Sequence, residues 1–243
     1  MRNNFTVINV YEKNTLKSKV STQLLYGDTF VKLKKIGGWI KIKNKEDNYR
    51  GYIINKKFKS NQINTHKVCD IYANLYSKPQ KKHKLKKKLS FGCKIRITQK
   101  NKDFCKFDNF WINRKKVEEI NVINKNPFKN IKNFINVKYK WGGKHFSGID
   151  CSALVQVFLN YNNRFCPRDT VDQIKFFKKK VKLSNIKKND LIFWKEHVAI
   201  AISKRTLIHA YGPRKKVIIM PTNKTIKLIE RTAKLKVKGV RRI

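Results

Sequence analysis

The stretch YKWGGKHFSGIDCSALVQVF, residues 139–158, decides the fold of the second half of the chain. Residues 147–150 (SGID) read as a turn. The remainder predicts a helix that begins at Cys151, because apolar residues recur at helical spacing, at Leu154, Val155, Phe158 and Leu159. Asp150 and Ser152 suit the N-terminal end of this helix, where free backbone N–H groups need acceptors.

A cysteine in the first turn of a helix is a candidate nucleophile. The positive end of the helix dipole lowers the pKa of a thiol there, and the free backbone N–H groups can stabilise an oxyanion. The alternative role for Cys151 is that of a small buried side chain. That ordinary role is expected for the four cysteines without such surroundings, Cys69, Cys93, Cys105 and Cys166.

Two histidines are candidates for the base that a thiol nucleophile needs. His197 opens HVAIAI and His209 ends TLIHA, and both segments, like LIFW at 191–194, are predicted to be buried strands. Neighbouring antiparallel strands would bring both rings to one end of a sheet, where one imidazole pairs with the thiol and the other orients the first. Two ordinary strand-end residues, or a zinc site with Cys151, remain alternatives on spacing alone.

The first half of the chain predicts two small β-barrels of similar plan. Short alternating segments in residues 1–60 are separated by turn signals at 27–28 and 37–38. Residues 66–117 repeat the theme, since STQLLYGDTFVKL at 21–33 and KKKLSFGCKIRIT at 86–98 both place a glycine before an alternating strand. A linker is expected at 121–132 and a helical stretch at Phe128–Val137, ahead of an α+β domain.

The motifs of the second half, in type and order, resemble those of the NlpC-type cell-wall peptidases, papain-like cysteine enzymes that cleave murein stem peptides. The resemblance covers nearly all of residues 128–243, and its motifs are the opening stretch, CPRDTVDQ at 166–173, KKNDLIFWKEHVAIAI at 187–202 and TLIHAYG at 206–212. Two features depart from the family pattern. Ala153 stands where the family usually has Gly, and no glycine follows LIFW.

The first half is similar to the bacterial SH3-like domains that precede such peptidases, through STQLLYGD, GGWIKI and DNYRGY. The resemblance therefore implies a multidomain chain of two small SH3-like β-barrels followed by an α+β papain-like (NlpC-type) peptidase domain. The expected boundaries are 1–60 for the first SH3-like domain, 61–120 for the second and 121–243 for the peptidase domain.

The resemblance implies a role for each matching catalytic residue. Cys151 is the nucleophile, His197 the general base and His209 the third, polar member, while Tyr139 lies near the oxyanion site. No metal and no cofactor are expected.

The implied reaction is hydrolysis of the bond between γ-D-Glu and a diamino acid in murein peptides with a free N-terminal L-Ala. Asp169 would meet the substrate ammonium, and a tyrosine of the first SH3-like domain would close the pocket. The residues implied in substrate binding are Asp150, Ser152, Arg168, Asp169, Thr170 and Tyr49. Without the resemblance, Arg168 and Asp169 would be interpreted as a local ion pair.

The net charge of +44, from 59 Lys and Arg against 15 Asp and Glu, suggests nucleic-acid binding. However, 48 of the basic residues are Lys and they are spread from end to end, as expected for A- and T-rich codon usage. No specific nucleic-acid partner is therefore expected. A hydrophobic fraction of 40% excludes wholesale disorder, and no apolar run is long enough to span a membrane.

The N-terminus shows no secretory signal and the five cysteines are odd in number, so a cytoplasmic location and wall-peptide recycling are expected. Two other classes of function stay open. One is a polyanion- or wall-binding module with an inactive site, which the intact Cys151, His197 and His209 disfavour. The other is an amidase or acyltransferase on the same scaffold.

Overall fold

The computed structural model describes residues 1–243, which form two compact units. The first unit comprises Met1–Ile123 with Lys144–Phe146, and the second comprises Asn124–Gly143 with Ser147–Ile243. The chain is rich in β-strands and has three α-helices, none of which combines the length and hydrophobicity of a membrane span. The division of the first unit near residue 60 stays a prediction.

Residues 1–60 contribute a five-stranded antiparallel sheet to the first unit. Its strands are β1 (Val7–Tyr11), β2 (Val20–Leu25), β3 (Phe30–Ile36), β4 (Trp39–Asn44) and β5 (Arg50–Ile54). The strand order is β2-β1-β5-β4-β3. Every second residue of β4 is buried, and Ile40 and Ile42 lie in the apolar core. β2 shows no such alternation, since five of its six residues are buried.

The rest of the first unit contains a second five-stranded sheet and a three-stranded sheet. The strands of these two sheets are β6 (His66–Val68), β7 (Tyr72–Tyr76), β8 (Lys84–Ser90), β9 (Lys94–Ile95), β10 (Gln99–Lys100), β11 (Phe104–Phe107), β12 (Phe110–Asn113) and β13 (Val117–Glu119). The short strand β14 (Lys144–His145) belongs to neither sheet. The orders are β10-β11-β12-β7-β8 and β13-β6-β9. Numbered along the chain within each sheet, both five-stranded sheets have the order 2-1-5-4-3.

A charged cluster on Asp108 joins the two parts of the first unit. The Arg2 guanidinium donates to this carboxylate at 3.1 and 3.3 Å, the Lys59 ammonium lies 2.8 Å away, and the Tyr26 hydroxyl also donates to it. Burial acts to raise the pKa of Asp108, but these three partners lower it to about 2. Asp108 is therefore ionised and fully engaged at neutral pH.

The second unit is built on a six-stranded antiparallel sheet. Its elements are β15 (Gly148–Ile149), α1 (Cys151–Tyr161), α2 (Thr170–Phe176), β16 (Lys179–Val181), β17 (Leu191–Trp194), β18 (His197–Ala201), β19 (Thr206–Tyr211), β20 (Lys216–Pro221), α3 (Thr222–Ala233) and β21 (Gly239–Arg242). The sheet order is β16-β21-β17-β18-β19-β20, and α1 packs on β18 and β19. The predicted helix at Cys151 and the three predicted buried strands are present.

The helical stretch predicted at Phe128–Val137 is wrong. Only a 3-10 turn at Ile131–Phe134 forms, because Asn130 and Asn136 take left-handed φ angles of 63° and 67° that break helical geometry on both sides. The apolar residues that suggested a helix pack against α1 instead. The rings of Phe128 and Phe134 lie 6.1 and 5.3 Å from that of Phe158 on α1.

Candidate active site

Asp150 caps the helix that carries Cys151. One carboxylate oxygen accepts a hydrogen bond from the Ala153 N–H at 2.8 Å, and the other accepts one from the Gly142 N–H at 2.9 Å. The Ser152 hydroxyl lies 3.2 Å from the same carboxylate. These contacts fix the start of α1 and therefore the position of the Cys151 backbone.

Arg168 forms a buried ion pair with Asp150. Its guanidinium donates to the two carboxylate oxygens at 3.1 and 2.5 Å and to the Ser152 hydroxyl at 2.8 Å. The Arg168 side chain is only 2% exposed. Three of the residues expected to bind substrate therefore contact one another beneath the helix N-terminus.

Cys151 is itself buried, with 6% of its surface exposed. The Cys151 thiol can donate a hydrogen bond to the Glu196 carbonyl oxygen, 3.8 Å away. The same sulfur accepts a hydrogen bond from the Val198 N–H. Burial raises the pKa of Cys151 to about 12, with the Asp150 charge acting in the same direction. The lowered pKa expected from the helix dipole is thus outweighed by burial, and the free thiol is protonated at neutral pH.

The two candidate histidines are in direct contact. His197 begins β18, His209 lies in the antiparallel neighbour β19, and 2.9 Å separates Nε2 of His197 from Nδ1 of His209. The two residues that contact the Cys151 thiol, Glu196 and Val198, flank His197 in the chain. The sheet therefore brings the thiol and both imidazoles into one site.

Met220 favours one tautomer of His209. Its thioether sulfur lies 3.4 Å from Nε2 of His209 and has no proton to donate, so the contact favours the tautomer protonated at Nε2. In that tautomer Nδ1 of His209 accepts a hydrogen bond from Nε2–H of His197, which leaves a lone pair on Nδ1 of His197. Nδ1 of His197 is then the candidate base.

Burial favours the neutral form of both rings. It lowers the pKa of His197 to about 4 and also lowers the pKa of His209, which a protonated His197 would lower further. His209 is 1% exposed and stacks on the Tyr211 ring, with centroids 4.7 Å apart and planes within 9°. A neutral imidazole beside a neutral thiol can act as a general base.

Tyr139 and His197 line the same cavity. Its N–H donates to the Lys215 carbonyl at 2.8 Å, and its ring lies 3.6 Å from the point where a side chain at Gly212 would begin. Burial raises the pKa of the Tyr139 hydroxyl, a Cys151 thiolate would act in the same direction, and so does the Asp150 carboxylate. The hydroxyl is therefore a hydrogen-bond donor at neutral pH.

The remaining predicted residues lie on α2 and in the first unit. Thr170 is buried at the start of α2, and the carbonyl of Asp169 accepts the Gln173 N–H at 2.9 Å. Tyr49 is half-buried in the turn before β5, where its N–H donates to Asp47 at 3.0 Å. The substrate contacts proposed for these residues stay predictions.

Three residues that position the site were missed from sequence. The Gln173 amide donates to the Ser152 carbonyl at 3.0 Å and to the Pro167 carbonyl at 2.9 Å. Glu196 takes a left-handed φ of 58°, a conformation that favours glycine. The missing glycine after LIFW was the one sequence feature that could have drawn attention to this position. Met220 had no local signal, because only the pairing of β19 with β20 brings it to His209.

The chain does not offer a set of ligands for zinc. No three side chains among His, Cys, Asp and Glu cluster in a way that holds a metal ion. The alternative of zinc bound by Cys151 and the two histidines therefore has no geometric support.

Two family models match the chain. Residues 136–233 match the NlpC/P60 family, and residues 6–58 match the bacterial SH3 domain. A crystal structure of an NlpC/P60 family protein from Bacillus cereus has the same fold, with a TM-score of 0.84 and 21% identity over 99% of this chain and 98% of that chain.

Two curated relatives are peptidases by name. Dipeptidyl-peptidase 6 of Lysinibacillus sphaericus is 30% identical over 103 residues, which cover 41% of this chain and 38% of that protein. Gamma-D-glutamyl-L-lysine dipeptidyl-peptidase of Bacillus cereus is 24% identical over 86% of this chain and 72% of that protein. The NlpC/P60 family consists of cysteine peptidases, and the thiol with its two imidazoles lies within the matched segment. The chain therefore carries a bacterial SH3 domain followed by a cysteine peptidase domain of the NlpC/P60 family.

Proposed function

We propose that the protein hydrolyses the amide bond between γ-D-Glu and the diamino acid of murein stem peptides that have a free N-terminal L-Ala. The observation that carries this proposal is the hydrogen-bonded pair His197–His209, beside a thiol that contacts both chain neighbours of His197. The family match and the names of the two curated relatives support the substrate class.

In the first step the Cys151 sulfur attacks the γ-carbonyl carbon while Nδ1 of His197 takes the thiol proton. The raised pKa of the thiol and the lowered pKa of the imidazole make this transfer accompany attack rather than precede it. The carbonyl oxygen becomes an oxyanion, which the N–H groups at the start of α1 and the Tyr139 hydroxyl can stabilise.

In the second step the tetrahedral intermediate collapses. The C–N bond breaks, the leaving amine of the diamino acid takes the proton from His197, and the acyl group remains as a thioester on Cys151. Water then attacks the thioester with His197 again as base, which releases L-Ala-D-Glu and restores the thiol. His209 holds the His197 ring in position through its 2.9 Å hydrogen bond.

Asp169 is the proposed partner of the substrate ammonium. Asp150, next to Cys151 in the chain, is already held by Arg168 and two backbone N–H groups. Asp150, Ser152 and Arg168 then act mainly by fixing the nucleophile's helix, with Thr170 lining the site and Tyr49 as the proposed closing wall.

The finer domain plan is also a proposal. We infer SH3-like barrels at 1–60 and 61–120 and a papain-like peptidase domain at 121–243. The shared strand order of the two five-stranded sheets supports a duplication of one plan. The packing of α1 on β18 and β19 supports the papain-like assignment.

A cytoplasmic role in recycling wall peptides is supported by the cysteines. All five are free thiols, which suits a reducing compartment. Cell fractionation tests this, and recovery of the protein with the exported fraction would contradict it.

The substrate proposal is tested by mass spectrometry with L-Ala-γ-D-Glu-meso-diaminopimelate and its N-acetylated form. Release of L-Ala-D-Glu from the free peptide alone is expected. Asp169→Asn should lower kcat/KM for the free peptide by about tenfold or more, because a charge-assisted hydrogen bond is lost. The exposed neighbour Asp172→Asn is the matched control. Equal cleavage of the acetylated peptide would rule out recognition of a free amino end.

A further inference from the structure

A cavity of about 510 Å³ opens beside the catalytic histidine. Its lining includes His197 and Tyr139 but not Cys151. One wall is the two-residue turn Lys195–Glu196 between β17 and β18, and another is the 3-10 turn Gly212–Arg214. The floor is formed by side chains of α3 and the segment after it, among them Leu228, Ile229 and Leu235.

The proton transfers of the reaction indicate which part of the substrate this cavity holds. The acyl group becomes bonded to Cys151, whereas the leaving nitrogen takes its proton from His197. Because the cavity is lined by His197 but not by Cys151, we assign it to the leaving group. In the proposed reaction, on which this inference rests, the leaving group is the diamino acid.

The floor of the cavity is apolar, and its rim carries both positively and negatively charged side chains. Leucine and isoleucine side chains suit the methylene groups of a diamino acid. The exposed side chains of Lys195 and Arg214 lie on the same rim as that of Glu196. Two cations and one anion complement a side chain that ends in both a carboxylate and an ammonium, whereas lysine ends in an ammonium alone.

We propose that this cavity selects a diamino acid whose side chain ends in an amino-carboxylate, as in meso-diaminopimelate, over L-lysine. Arg214 and Lys195 bind the terminal carboxylate, and Glu196 receives the terminal ammonium. The guanidinium of Arg214 suits the two oxygens of a carboxylate in a bidentate pair.

The test compares kcat/KM for three tetrapeptides L-Ala-γ-D-Glu-X-D-Ala. X is meso-diaminopimelate, the same residue with its side-chain carboxylate amidated, or L-lysine. In each tetrapeptide the α-carboxylate of X is in a peptide bond, so the side chain alone differs. We expect kcat/KM for the diaminopimelate peptide to be at least about fivefold higher than for each of the other two. The other two peptides lack the exposed charge pair and its hydrogen bonds.

Variants assign that preference to the rim. The doubly substituted chain Lys195→Gln with Arg214→Gln should lose most of the preference, Arg214→Lys should keep part of it, and Arg205→Gln, an exposed arginine outside this cavity, should keep all of it. Equal rates for the three peptides, or a preference that survives the double substitution, would overturn the inference and leave the proposed hydrolysis standing. Failure to cleave any of the three would overturn both.

Discussion

At the scale of single residues, the proton of Cys151 is the central quantity. The helix N-terminus favours a thiolate, yet burial raises the pKa of the thiol to about 12. The sequence indicates the helix and the two candidate bases, but it carries no information on how deeply the thiol is buried. The burial that raises the pKa of the thiol and lowers that of the imidazole is therefore known only from the structure.

The pH profile should reflect this neutral state. The proposed base, His197, can accept a proton only when it is unprotonated, and its pKa is lowered from 6.5 to about 4. We expect kcat/KM to persist as the pH falls below 6.5 and to be lost near 4. The measurement is kcat/KM across the acid range, with circular dichroism at each pH to verify that the chain stays folded. An acid limb centred at the ordinary histidine pKa would contradict the prediction.

Met220 should contribute through the tautomer of His209. Met220→Leu removes the sulfur 3.4 Å from Nε2, so His209 loses its preference for that protonated nitrogen. We expect kcat to fall about two- to fivefold, the effect of one weak hydrogen bond. Nitrogen NMR of the histidines should show a mixture of tautomers. Met220→Gln supplies another acceptor and should restore one tautomer, and an unchanged tautomer in Met220→Leu would refute the role.

At the scale of elements, the start of α1 depends on contacts distant in sequence. Asp150 and Ser152 were predicted at the helix N-terminus from local pattern. Their pairing with Arg168 was not predicted, because it requires the loop before α2 to return to the start of α1. The failed helix at 128–137 shows the same limit, since apolar spacing there reflects packing against Phe158.

Removing Arg168 should destabilise the second unit strongly. Arg168→Met leaves the buried Asp150 carboxylate without its cation, which costs roughly 3–5 kcal/mol of unfolding free energy. Urea unfolding measures the change. Arg168→Lys keeps the charge without the two-pronged contact and should lose less, and Arg164→Met, at an exposed position, should be near neutral. A loss in Arg168→Met no larger than in that control would contradict the buried pair.

Gly143 should tolerate no side chain. A Cβ there would lie 2.4 Å from the Gly148 carbonyl oxygen and 2.9 Å from that of Lys140, in the loop that leads to Asp150. Gly143→Ala should cost roughly 1–3 kcal/mol of stability and lower kcat by displacing the cap of α1. Thermal unfolding and kcat are the measurements, with Gly38→Ala as control because nothing lies within 4 Å of its added carbon. Similar behaviour of the two variants would contradict the tight loop.

At the scale of the whole molecule, charge is the dominant property. The chain carries +44, and its 15 acidic residues leave most of the 59 basic ones without an acidic partner. Such self-repulsion lowers the stability of a folded chain and is screened by salt. The repeated strand order of the first unit was only loosely predictable, because β10 has two residues and leaves no clear sequence pattern.

Salt should therefore stabilise the protein and release it from polyanions. We expect the Tm to rise with sodium chloride, and retention on heparin or mixed-sequence DNA to fall steeply. Differential scanning fluorimetry and salt-gradient elution provide the two readouts. Salt-resistant binding to one nucleic-acid sequence would instead support a dedicated nucleic-acid function.

The central claim is that Cys151 is the nucleophile of a γ-D-glutamyl peptidase, and one comparison tests it most directly. The release of L-Ala-D-Glu from L-Ala-γ-D-Glu-meso-diaminopimelate is measured for the wild type, for Cys151→Ala and for Cys69→Ala, a cysteine of the first unit. The account predicts cleavage by the wild type and by Cys69→Ala, and none by folded Cys151→Ala. Undiminished cleavage by Cys151→Ala, or no cleavage by the wild type, would contradict it.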